Sequence, residues 1–180
     1  MMNYLPAIEY ETAPAPTASV IWLHGLGADG NDFRPIVPEL KLPAEPGIRF
    51  IFPHAPSIPV TVNNGYVMPA WYDILEMDID RKVDAEQLNA SADKITALID
   101  REIERGIASE RIVIAGFSQG GAVAYQTALS YPKPLAGRKA VKTLTEMGYE
   151  PEYLTYPMEH SVSLQEIQDI SRFLQGWLKR

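Results

Sequence analysis

Apolar residues along the chain follow two alternating patterns, short compact runs and longer segments with helical spacing. The compact runs predict strands at residues 18–23, 48–52, 111–115 and 152–156. Apolar positions three or four residues apart predict helices at residues 84–105, 119–130, 138–147 and 164–180. The stretch 54–73, punctuated by Pro, Gly and Asn, is too irregular for a regular element. This alternation predicts an α/β fold with a mostly parallel central sheet and helices on both of its faces.

Ligands of such sheets bind at the carboxyl ends of the strands. His24, Ser118 and His160 each lie just past the end of a predicted strand, so we expect all three at this rim. A chain of 180 residues is predicted to form one domain, residues 1–180.

The amino-acid composition excludes several classes of function. The net charge of −7, with no Lys/Arg-rich run, argues against a nucleic-acid partner or an anionic membrane surface. The absence of cysteine excludes disulfides, thiolate metal sites and a Cys nucleophile. No apolar run approaches the roughly 20 residues that span a bilayer, and the first residues show no signal peptide. We therefore expect a soluble, cytoplasmic protein without stable membrane insertion.

The segment Gly116-Phe117-Ser118-Gln119-Gly120 has the Gly-x-Ser-x-Gly pattern of a nucleophile elbow. A chance match somewhere in such a chain is roughly one in twenty, so the pattern alone is weak. Its position between a predicted strand and a predicted helix strengthens it, because the strained turn needs glycines on both sides. We expect Ser118 to be the nucleophile, with a structural serine in a glycine-rich turn as the alternative.

A serine nucleophile needs a base, and the chain has three histidines. His54 lies between two prolines and is expected to be structural, and His24 is expected to matter more through its backbone than through its imidazole. His160 follows the last predicted strand, where this architecture places its base, although an ordinary loop histidine is the alternative.

The tetrahedral intermediate also needs N–H donors for its oxyanion. One is predicted to be the backbone N–H of Gln119, at the start of the helix that follows the nucleophile. The other is assigned to Leu26, in the glycine-rich loop after the first predicted buried strand. An ordinary glycine turn is the alternative for this loop.

Four separated motifs resemble the bacterial carboxylesterase/acyl-protein thioesterase (phospholipase/carboxylesterase) family: VIWLHGLG at 20–27, MPAWYD at 68–73, AGFSQGG at 115–121 and YPMEH at 156–160. The resemblance implies an α/β-hydrolase fold without a large cap domain, hydrolysis of short to medium acyl esters or thioesters, no cofactor or metal, and often a homodimer. It also implies that the Leu26 and Gln119 amides form the oxyanion hole and that Trp71 and Phe117 lie near the acyl pocket. Trp71 taken alone is more often a core or loop-anchoring aromatic.

The sequence departs from this family at the third member of the triad, an Asp between the Ser and the His. The only acidic residues between Ser118 and His160 are Glu146, Glu150, Glu152 and Glu159. None of them is placed to orient His160. Two strands of an α/β-hydrolase sheet also have no counterpart between Gly137 and Arg138. We favour residues omitted from the sequence over a true deletion, which would leave apolar sheet edges uncovered.

The sequence thus predicts a serine carboxylesterase that forms an acyl-enzyme on Ser118. An acyl-protein thioesterase or a lysophospholipase uses the same motifs, and a peptidase uses the same triad logic. A non-catalytic ligand-binding module that has lost the triad acid is the alternative from another class.

Overall fold

The computed structural model describes residues 3–76, 83–136 and 164–179, with side chains of the last segment described from residue 167. Within these residues, the main sheet has four strands: Ala7–Glu11 (β1), Ala18–Leu23 (β2), Ile48–Pro53 (β3) and Ile112–Gly116 (β6). Their order across the sheet is β1-β3-β2-β6. Strands β2, β3 and β6 run parallel, and β1 pairs antiparallel with β3 at the edge. The predicted mostly parallel sheet is confirmed.

Alternate side chains of the central strands enter two apolar cores, one on each face of the sheet. Helices α2 (Ala85–Glu104) and α3 (Gln119–Ser130) cover one face, where Ile21 and Leu23 of β2 are fully buried. The short helix α1 (Ile36–Glu39) and the C-terminal helix α4 (Leu164–Leu178) contribute to the core on the other face, which contains Trp22. The expected helices on both faces are therefore present.

The prediction of an irregular segment at 54–73 is wrong. It contains an antiparallel hairpin of β4 (Ser57–Val60) and β5 (Tyr66–Pro69). The loop between the strands spans residues 61–65: a 3-10 turn at Thr61–Asn63 is followed by Asn64 and Gly65, both at positive φ. The carboxylate of Asp73 accepts hydrogen bonds from the N–H and the hydroxyl of Thr61, the N–H bond being 2.7 Å long, which ties the loop of the hairpin to the segment after β5.

Other predicted elements agree within one or two residues where the structure describes them. The predicted helix at 138–147, the predicted strand at 152–156 and the expected gap between Gly137 and Arg138 lie outside the described residues. In the described ranges, no helix is both long enough and apolar enough to cross a membrane.

Candidate active site

Ser118 lies in the sharp turn between β6 and α3, with an exposed position and backbone angles of φ 53° and ψ −119°. A non-glycine residue adopts this positive-φ conformation only when the surrounding structure enforces it. Here the Gly120 N–H donates to the Phe117 carbonyl at 2.9 Å, and the Ala122 N–H donates to the Ser118 carbonyl at 3.3 Å. The turn therefore presents Ser118 at the carboxyl end of the sheet, as a nucleophile elbow does.

The glycines of the turn allow two backbone segments to touch. A Cβ on Gly116 would collide with the Gly120 carbonyl, and a Cβ on Gly120 would collide with the carbonyls of Leu23 and His24. The first turn of α3 thus lies directly against the end of β2. This contact is the physical reason that both flanking glycines are needed.

The loop after β2 comes to the same place. The Phe117 N–H donates to the Leu23 carbonyl at 3.0 Å, and a Cβ on Gly25 would lie only 3.2 Å from the Phe117 ring. The Gly27 N–H donates to the Pro69 carbonyl at 2.9 Å, which fixes the loop to the hairpin. The structure therefore brings the segments that carry Leu26, Ser118 and Gln119 together at the rim, and the oxyanion role of Leu26 and Gln119 stays a prediction.

His24 is buried, with 1% of its surface exposed, and both of its ring nitrogens are used. The Ala55 N–H donates to Nε2 at 3.0 Å, so Nε2 carries no proton and Nδ1–H donates to the Gly25 carbonyl at 2.7 Å. Burial lowers the pKa of His24 and keeps the neutral ring that this arrangement requires. The imidazole of His24 thus has a structural role, and the greater importance of its backbone stays a prediction.

Trp71 is 2% exposed and is attached to both segments of the site. Its backbone N–H donates to Oε1 of Gln119 at 2.7 Å, and its indole N–H donates to the His24 carbonyl at 2.8 Å. Phe117 is half-buried beside Phe33, with ring centroids 5.6 Å apart. The predicted contact of Trp71 and Phe117 with an acyl group stays a prediction.

Of the other two histidines, the structure describes His54 but not His160. His54 accepts a hydrogen bond from the Gly30 N–H at 3.0 Å through Nδ1, which is the structural role expected for it. His160 and the acidic residues from Glu146 to Glu159 lie outside the described residues.

The side chain of Gln119 is the group at this site that sequence reasoning missed. It is 4% exposed, and its Nε2 donates to the Tyr72 carbonyl at 2.6 Å. A polar residue directly after the nucleophile was visible in the sequence. Its partners, 47 or 48 residues away, were not.

Known proteins resemble this chain in sequence. A family model described as phospholipase/carboxylesterase matches residues 5–141. Acyl-protein thioesterase 1 of Schizosaccharomyces pombe is 48% identical over 76% of this chain and 60% of its own length. Acyl-protein thioesterase 1 of Cryptococcus neoformans is 36% identical over 83% of this chain and 64% of its own length. The match thus spans less than two thirds of either fungal relative.

A solved structure has the same fold. SOBER1 of Arabidopsis thaliana superimposes with a TM-score of 0.77 and 28% identity, covering 89% of this chain and 99% of that structure. These relatives are fungal and plant proteins, so the qualifier "bacterial" in the sequence prediction is not supported.

Proposed function

This chain belongs to the phospholipase/carboxylesterase family, and on that premise we propose that it is a serine hydrolase that cleaves acyl esters through an acyl-enzyme on Ser118. The observation that carries the proposal is the strained, exposed elbow at Ser118, closed against the loop that contains Leu26. A positive φ at a non-glycine residue needs a compensating benefit, and an accessible nucleophilic hydroxyl provides one.

In the proposed reaction, the Ser118 hydroxyl attacks the acyl carbonyl while His160 takes its proton. The N–H groups of Leu26 and Gln119 donate to the resulting oxyanion. His160 then gives the proton to the leaving oxygen or sulfur, the bond from the acyl carbon to that atom breaks, and the acyl group remains on Ser118. Water attacks this ester with His160 again as base, and the carboxylic acid leaves.

An acyl-protein thioesterase is the second candidate, and a specific observation favours it. Both fungal relatives carry that name, and the chain matches them at 36–48% identity. The same elbow serves oxygen and sulfur leaving groups. Turnover of p-nitrophenyl butyrate, a palmitoyl thioester and a lysophospholipid by one preparation ranks these substrates.

The proposal does not name the acidic residue that would orient His160. In a serine protease, replacing the triad Asp by Asn costs about 10⁴ in kcat, so a protein without any such acid is expected to be a weak hydrolase. An intact mass of 20.0 kDa, the value for this sequence, indicates a true deletion between Gly137 and Arg138. A larger mass indicates additional residues that can carry the acid.

A fluorophosphonate probe tests the proposal directly, because it reacts with an activated serine. We expect labelling of the folded protein that disappears in Ser118→Ala. The matched control is Ser130→Ala, at the other end of α3, where the hydroxyl donates to the Gln126 carbonyl at 2.8 Å. Labelling that persists in Ser118→Ala excludes Ser118 as the nucleophile. Well-folded protein that takes no label supports the binding module instead.

A cytoplasmic location and a homodimer also belong to the proposal. Cell fractionation tests the first, and the molar mass in solution by light scattering tests the second.

A further inference from the structure

Both ends of the Gln119 side-chain amide bond to the backbone of Trp71 and Tyr72, beside the elbow. Oε1 of Gln119 accepts from the Trp71 N–H at 2.7 Å, and Nε2 donates to the Tyr72 carbonyl at 2.6 Å. Exchanging the two ends of this amide would place donor against donor and acceptor against acceptor, so its partners fix its orientation. Because Gln119 is buried, losing either bond leaves a backbone group without its partner.

Trp71 extends the connection to the loop after β2. Its indole N–H donates to the His24 carbonyl at 2.8 Å, and the centroids of the Trp71 and His24 rings lie 5.1 Å apart. The Ser91 hydroxyl of α2 donates to the Trp71 carbonyl and holds the residue from the other side. The buried path therefore runs from Gln119 through Trp71 to His24, two residues before Leu26.

We propose that the Gln119 side chain, acting through Trp71, is a positioning residue that fixes the distance between the two N–H groups of the oxyanion site. This inference rests on the proposed function. Those N–H groups belong to separate segments, and misplacement by about 1 Å in such a site can reduce a rate on the order of 100-fold. Gln119 thus has two roles: its backbone N–H is a donor, and its side chain holds the two segments together. We call the Gln119 and Trp71 side chains the brace.

Three variants break the path at defined points. Gln119→Met keeps the approximate volume and removes both hydrogen bonds. Trp71→Phe keeps an aromatic ring and removes the indole N–H. The double variant tests whether the two act in one path. Gln126→Met is the matched control, because Gln126 lies on the same helix and its amide donates to the exposed Asn89 at 3.2 Å.

Steady-state kinetics with p-nitrophenyl butyrate provides the first readout. We expect Gln119→Met to lower kcat on the order of 10- to 100-fold, with KM changed by less than about threefold, since the brace acts on the transition state. The double variant is expected to be no slower than Gln119→Met, because coupled residues are not additive. A variant with lower thermal stability but unchanged kcat overturns the proposal.

Hydrogen exchange provides a readout that does not need activity. We expect faster amide exchange at residues 24–27 in Gln119→Met and in Trp71→Phe, and wild-type exchange in Gln126→Met. Unchanged exchange at 24–27 in the first two variants overturns the brace. If the wild-type protein neither turns over esters nor takes the fluorophosphonate, the proposed function fails. The exchange result then decides by itself whether Gln119 holds the loop.

Discussion

At the scale of single residues, backbone-to-backbone contact sets the spacing of the site. Gly120 has no side chain, and for that reason the first turn of α3 rests on the carbonyls of Leu23 and His24. Any Cβ at this position has to push β2 and α3 apart. The proposed donor Gln119 is the first residue of α3, and the other, Leu26, follows β2 by three residues. Stability and reactivity are therefore linked at Gly120.

Gly120→Ala is expected to lower the free energy of unfolding by about 1–3 kcal/mol, as overpacking does. It is also expected to slow fluorophosphonate labelling more than about tenfold, because the donors move apart. Urea unfolding and the labelling rate measure the two effects.

Gly176→Ala is the matched control, since Gly176 is also helical but nothing lies within 4 Å of an added Cβ. There alanine is expected to stabilise the helix by about 0.5–1 kcal/mol and leave labelling unchanged. Equal behaviour of the two variants would contradict the steric argument.

At the scale of elements, α4 closes the core on the face of the sheet away from α2 and α3. Leu174 and Leu178 are buried among the apolar residues of this core. The Ser171 hydroxyl donates to the Leu40 carbonyl at 2.5 Å, and the Trp177 indole donates to the Glu110 carbonyl at 3.1 Å. The helix is thus held at several points along its length.

Leu174→Ala is expected to lower the free energy of unfolding by about 2–5 kcal/mol, because Leu174 is 1% exposed and its loss leaves a cavity. Phe173→Ala, one residue earlier and 45% exposed, is expected to change it by less than about 0.5 kcal/mol. Denaturant unfolding of both variants checks the pair. Similar losses would show that α4 does not dock through Leu174.

Elements could be predicted where local signals agreed. The helix α2 was located because its apolar residues recur at regular helical spacing. Its N-terminal cap, the Asp84 carboxylate accepting from the Gln87 N–H at 3.0 Å, is seen in the structure. The edge strand β1 was missed because it is short, with only five residues, and three of them are exposed, so its apolar and charged positions alternate over too few residues to stand out. The hairpin was missed because its prolines outweighed its Asn-Gly turn.

The candidate site could also be predicted only where its residues form a local pattern. The elbow is one contiguous motif, so the sequence displays it. The brace joins Gln119 to residues 47 and 48 positions away, and no local pattern reports such a contact. Tertiary hydrogen bonds of this kind become visible only in the folded chain.

At the scale of the whole molecule, the end of the sheet opposite the site is held by buried charge. Glu102 of α2 is fully buried and accepts from the Ser19 hydroxyl at 2.7 Å, from Arg49 at 2.6 Å and from Arg105 at 2.8 Å. Burial alone would raise the pKa of Glu102, but these donors outweigh it and hold the pKa below its usual value. Ser19 and Arg49 lie near the amino ends of their strands, away from Ser118.

Glu102→Gln is expected to lower the free energy of unfolding at pH 7 by about 1.5–3 kcal/mol, because it weakens the charge-assisted hydrogen bonds of the buried side chain to Arg49 and Arg105. The two arginines keep Glu11 and Glu9 as partners. The stabilisation from the lowered pKa is complete above the unfolded value of about 4.3 and is lost as the pH falls through the folded value. The variant should therefore lose less stability than the wild type between pH 6 and pH 3.

Unfolding curves across this pH range measure the difference between the two proteins. At neutral pH and low temperature, folded Glu102→Gln is expected to label with the fluorophosphonate at the wild-type rate. A slower rate would show that the charged cluster also shapes the site.

The strained backbone of Ser118 also bears on how such a chain evolves. A residue in this conformation costs on the order of 1–3 kcal/mol, and glycine would remove most of that cost. In a lineage with no use for the hydroxyl, drift toward glycine at position 118 would make the protein more stable. With Ser118 as the proposed nucleophile, selection for chemistry and selection for stability pull in opposite directions at this single codon.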